Sequence, residues 1–218
     1  MTTRCRAAGL LLALTIATES AEAQRRRPAP KRNVAPAPLQ TSPAQVKCPE
    51  SLGTGVRTGA TYCFVLAGND PAQGVIVTIP PHTGTATLMF NLHNRHTYSE
   101  EEMRAGRGYA RYSAVIGVLT LKGDLLGRGA VQTEFRSATD LFERISGGAG
   151  PGGVKAVAPL GNEVVHVEIP EDVAEVSLLG EVLDATTAIG REVASPGRPV
   201  AIVSNVQLEY RPAKPVKR

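Results

Sequence analysis

The chain contains no tryptophan, only four Phe and five Tyr, and three cysteines among 218 residues. With so few rings, a sheet face paved with aromatics for stacking sugars or bases is not expected, although polar recognition stays open. The cysteines lie at 5, 48 and 63, so neither a CxxC redox pair nor a zinc site built on cysteines can form. Long apolar runs are missing as well. The run from Ala7 to Ala17 is about half of the roughly 20 residues a spanning helix needs, and Gly, Pro or a charge interrupts every later stretch. Signatures of common catalysts are also lacking: there is no HExxH, no GxSxG and no SxxK.

The N-terminal segment has a recognisable plan. Arg4 and Arg6 precede the apolar run, and Ala21-Glu22-Ala23 follows it, which is the charged, apolar and small-residue order of a secretory signal. Residues 1–23 are therefore expected to be a cleavable signal peptide, with the mature chain starting at Gln24 in a secreted or periplasmic compartment. Cys5 lies before the apolar run, whereas a lipid-anchor cysteine would follow it, so no lipid anchor is expected. Export leaves Cys48 and Cys63, and in an oxidising compartment a leftover pair is expected to form a disulfide.

Residues 24–47 hold five prolines, six Lys or Arg, no acid and no aromatic. Such a segment has too little apolar surface to offset its ordering entropy and reads as a disordered, Pro/Ala/Arg-rich linker. Residues 211–218 repeat that composition as a basic tail. The folded domain is expected over 48–210, long enough for one core.

Within 48–210 the recurring pattern is short alternation punctuated by Gly and Pro, the period of strands half-buried against a core. Ala86, Leu88, Phe90 and Leu92 fall on one face, and Thr87, Met89, Asn91 and His93 on the other. Val165, Val167 and Ile169 alternate with Val164, His166 and Glu168, and Val131 and Phe135 with Gln132, Glu134 and Arg136. Ile202, Val206, Leu208 and Tyr210 are expected to share a face. Further strands are expected at 60–67, 73–79, 109–121 and 173–179. About nine short strands separated by turns favour an all-β domain, a β-sandwich or jelly roll. One or two short helical insertions are predicted: Ser99 with Glu102 fits a capping box ending at Gly106, and Ser137 with Asp140 does the same up to Gly147, with Leu141 and Ile145 inward.

Chemistry is sparse. Gly148 to Gly153 matches GxGxxG, but a helical pattern precedes it and a strand-like one follows, the reverse of a dinucleotide site, so it reads as a Gly-rich connection. No cofactor is expected. His93 and His96 form HxxH, followed by Glu100 to Glu102, ligand types suited to zinc or another divalent ion. On a strand that spacing sets His93 outward and His96 in the next turn, so the imidazoles converge only if the turn folds back. A ligand-binding face is the other candidate: if their strands are neighbours, Asn91, His93, Glu134, Arg136, His166 and Glu168 would share an outer sheet surface.

Charge is divided unevenly. Residues 24–47 carry +6 and 211–218 carry +4, while 48–210 has 12 basic and 18 acidic residues, a balance of −6. Arg25, Arg26, Arg27, Lys31 and Arg32 are thus candidates for holding an anionic envelope polymer or membrane surface. A protein partner is compatible with this reading; a specific nucleic-acid site is not expected. The chain accordingly reads as an exported β-sandwich binding or structural protein. The balance is against an enzyme, and a metal-dependent hydrolase or other enzyme using His93 and His96 is the second reading.

Overall fold

A computed structural model describes residues 36–96, 101, 104–105, 108–134, 145–146 and 162–213, all within one compact unit, Pro36–Arg218. Thirteen strands are present among them: β1 (Gln40–Pro43), β2 (Gln45–Lys47), β3 (Ser51–Gly55), β4 (Thr61–Leu66), β5 (Val75–Thr78), β6 (Ala86–His93), β7 (Tyr109–Thr120), β8 (Leu125–Glu134), β9 (Ile145–Ser146), β10 (Glu163–Ile169), β11 (Glu175–Thr187), β12 (Gly190–Val193) and β13 (Pro199–Tyr210). They make two antiparallel sheets. The first runs β10-β6-β13-β4-β3-β9 with β1 added to β13, and the second runs β2-β5-β11-β7-β8 with β12 added to β11. The domain is an all-β sandwich, as alternation implies. Among the described residues no helix is long and apolar enough to cross a membrane.

The core lies between the sheets and follows the period of two. Leu88, Phe90 and Leu92 of β6, Val165, Val167 and Ile169 of β10, and Tyr112, Ala114, Ile116 and Val118 of β7 all point into it. Their neighbours in sequence point out, as Val164 does at 59% exposure. Removing this much apolar surface from water is the principal force on the fold.

Four expectations require correction. The composition of residues 40–47 predicts linker, yet they form β1 and β2, paired with β13 and β5. These edge strands are held by backbone hydrogen bonds and a few partly buried anchors, Ala44 and Val46, so composition gives little sign of them. At the other end, Arg211 to Ala213 belong to the fold: Thr83 N–H donates to the Arg211 carbonyl at 2.9 Å and Ala213 N–H to that of Pro81 at 3.1 Å. Ile145, expected in a helix, lies in β9 against β3. The rest of that predicted helix, 137–144, lies outside the described residues, as do Ser99, Glu102 and Gly106 of the first; Ala105 N–H donates to the Glu101 carbonyl at 3.0 Å in a helical turn.

The fourth correction concerns β13. Ser204 pairs with Asn91 and Gln207 with Met89, so two residues of β13, Asn205 and Val206, oppose the single Phe90 of β6. The extra residue is a bulge at Asn205, whose φ is 50°. A bulge reverses parity along the strand. Ile202 therefore packs with Tyr62 on the outer side of the sheet, while Leu208 and Tyr210 enter the main core.

The second sheet also has an irregularity, between Gly180 and Val182 of β11. A Cβ built on Gly180 would lie 2.1 Å from Cγ2 of Val200 on the facing sheet. Gly180→Ala should therefore destabilise the domain by about 1–3 kcal/mol through overpacking. Denaturant unfolding measures it, and Gly180→Ala combined with Val200→Ala should recover part of the loss.

Candidate functional site

β13 changes neighbours halfway along its length. Residues up to Val203 pair with β4, whereas Gln207 to Tyr210 pair with β1. Between the two sets the bulge leaves a gap, and the chain passing from β1 to β2 crosses it, with Ala44 N–H donating to the Val206 carbonyl at 3.0 Å. The result is a groove of about 480 Å³. Pro43, Ala44 and Val46 bound it on one side, Thr58 to Ala60 of the β3–β4 turn and Thr61 of β4 on another, and Asn205, Val206 and Gln207 of β13 close it. Gln207 Nε2 donates to Asn205 Oδ1 at 3.0 Å. The remaining lining residue, Cys63, is bonded to Cys48 with 5.4 Å between their Cα atoms. The expected disulfide is thus present, and it ties the end of β2 in one sheet to β4 in the other.

A second polar constellation occupies the turn after β6. Asn94 is fully buried; its Nδ2 donates to Tyr109 Oη at 3.1 Å and Thr133 Oγ1 at 3.0 Å, and its Oδ1 accepts from His96 N–H at 3.0 Å. Arg95 N–H donates to Tyr112 Oη at 3.2 Å, the Tyr112 hydroxyl donates to the Val200 carbonyl, and the Arg95 guanidinium pairs with Glu192 of β12. Burial pushes the Tyr112 phenol up and, with Arg198 nearby, the Arg95 guanidinium down. This network fastens one turn to β7, β8, β12 and β13 together.

His96 belongs to that network. Its ring stacks on Tyr109 at 4.9 Å and meets the edge of Tyr112 at 5.6 Å. Burial, and then the adjacent Arg95 charge, lowers its pKa from 6.5 to about 4. Between these values the unfolded chain binds the proton and the folded one does not. Stability should thus be fully present above pH 6.5 and decline as pH falls toward about 4, by up to about 1.4 kcal/mol per unit. Unfolding curves from pH 7 to 4 should show that component in the wild type and its loss in His96→Phe.

His93 and His96, the pair suggested for a metal, stand in different surroundings, and Glu100 and Glu102 lie outside the described residues. His93 is fully buried, with its Nε2 2.9 Å from Ser204 Oγ and its ring 5.6 Å from Tyr62, whereas the turn carries the partly buried His96 to the β7 tyrosines. Among the described residues no three His, Cys, Asp or Glu side chains gather as a metal site would need. The expectation that His93 faces outward fails for a related reason. Its alternation is right, but Tyr62 and Ile202, backed by Leu52, Ala60 and Phe64, form a second apolar cluster on that side.

The proposed binding face divides likewise. His166 pairs with Met89 and Val164 with Asn91, so Asn91 and His166 share the outer side of the first sheet. Glu134 lies on β8 of the second sheet, opposite Arg111. Arg136 is outside the described residues, as are Arg25, Arg26, Arg27, Lys31 and Arg32. The groove residues Asn205, Gln207, Thr58 and Thr61 escaped sequence reading. The available signal was Asn205 itself, a poor strand former inside an alternating run, which marks a bulge.

No family model matches the chain, and no curated protein matches it. Among solved structures, an arabinose-bound α-L-arabinofuranosidase is similar at 11% identity with a TM-score of 0.31, over 84% of this chain and 25% of that one. The chain spans a quarter of that protein's length, and a likeness of this degree carries no argument about fold or activity.

Proposed function

We propose that the chain is an exported binding protein of the cell envelope or secreted space, a β-sandwich that recognises its ligand without transforming it. The observation that carries this reading is the groove beside Asn205. Its volume of about 480 Å³ suits a small ligand. Among the described residues its lining offers hydroxyls and carboxamides but no group that exchanges protons near neutrality, since Cys63 is held in the disulfide. General acid–base or nucleophilic chemistry needs such a group within reach of the substrate. The disulfide supports the exported compartment, because such bonds persist in oxidising surroundings.

In this reading the basic segments hold the protein near an anionic polymer or membrane surface while the domain, with 12 basic and 18 acidic residues over 48–210, does not. The mature chain should have the mass of one starting at Gln24; a retained Met1 overturns export. Attachment of that chain to phosphatidylglycerol vesicles should fall sharply between low salt and physiological salt, where the screening length is about 8 Å. Replacing Arg25, Arg26, Arg27, Lys31 and Arg32 by Gln should abolish it. Binding that ignores both salt and the replacements would move the contact onto the sandwich.

A further inference from the structure

We propose that the groove at the β13 bulge takes a neutral, polyhydroxylated ligand, a saccharide. The inference rests on the binding reading above and adds the chemical class. Charge is the first selector. In a domain rich in acids and bases, none of the groove's lining residues among the described ones is charged, so an ionic ligand would lose hydration without gaining a counter-charge there.

Length is the second. The unpaired interval of β13, Ser204 to Val206, spans about 10 Å at a strand's rise per residue, against about 17–20 Å for an ordinary strand. The Val206 carbonyl is already taken by Ala44. A peptide adding itself as a strand would find neither the length nor the backbone partners.

Hydrogen-bonding capacity is the third. With Gln207 Nε2 donating to Asn205 Oδ1, Asn205 Nδ2 is left to donate and Gln207 Oε1 to accept, and the exposed Thr61 hydroxyl does both. Sugar hydroxyls, which also donate and accept, match that set. Val46 and Val206 offer apolar surface to the C–H face of a ring. The bulge fixes Asn205 in the left-handed region at φ 50°, so the carboxamide is presented by a constrained backbone.

The test is an amide NMR titration of the full ¹⁵N-labelled chain with cellotriose, maltotriose and chitotriose, alongside trigalacturonate and a Gly-Ser-Gly peptide. Saturating shifts at Thr61, Asn205 and Gln207 are expected with at least one neutral trisaccharide. Asn205→Gly, which keeps the positive φ, should weaken that binding at least tenfold, and Thr61→Arg, at an exposed position, should abolish it. Thr61→Arg stands alone if the glycine variant does not fold. Undiminished binding by Thr61→Arg overturns the site. Groove shifts with trigalacturonate or the peptide, but with no neutral sugar, overturn the ligand class and leave the binding reading standing. Absence of groove shifts with every probe overturns both.

Discussion

Replacing Phe90 by alanine is expected to lower the stability of the domain by about 3–5 kcal/mol, the cost of a large cavity in a core that closes only partly around it. Phe90 is 1% exposed, lies between Leu88 and Leu92 on the inner face of β6, and is paired with Val165 of β10. On its other side Phe90 lies opposite the bulge of β13, between the Asn91–Ser204 and Met89–Gln207 pairs that hold the two strands together. Met89, one residue earlier, is only partly buried on the outer face. Met89→Ala should accordingly cost much less. Equal losses for the two variants in denaturant unfolding would show that the two faces of β6 are not distinguished as described.

Removing the disulfide, by Cys48→Ser together with Cys63→Ala, should cost about 3 kcal/mol on chain-entropy grounds. The bond closes a loop with a sequence separation of 15 and joins the end of β2 to the buried side of β4. For a domain of this size the melting temperature should drop by roughly 6–12 °C. A reductant should reproduce the drop in the wild type and leave the double variant unchanged. Because Cys63 lines the groove and β2 supplies Val46 to it, reduced protein should also lose amide dispersion first at Val46, Cys63 and Val206. A reduced protein of unaltered stability would show that backbone pairing of β2 with β5 holds this corner without the bond.

The strands carrying large apolar residues in alternation were legible from sequence, because burial on one face imposes a period of two whatever the partners are. β6, β7, β10 and the inner residues of β11 belong to this group. β1, β2, β3 and β12 were not legible, since Gln40–Pro43, Ser51–Gly55 and Gly190–Val193 have few apolar side chains and are held mainly by backbone hydrogen bonds, which any sequence can make. The candidate site was less legible still. His93 and Asn91 occupy the side of β6 that alternation assigns them, but whether that side is open depended on Tyr62 and Ile202 from two other strands.

Composition and period by themselves determined the all-β class, the residues of β6 and β10 that face the core, and the pairing of Cys48 with Cys63. Those features follow from local chemistry: apolar spacing, and two thiols 15 residues apart within the folded domain. Tertiary structure alone decided that Glu134 and His166 lie in different sheets, that His93 and His96 occupy different surroundings, and that β13 reverses its faces at Asn205 to leave a groove. Each depends on which strands become neighbours and in what register, and a one-residue shift there moves every later side chain to the opposite face.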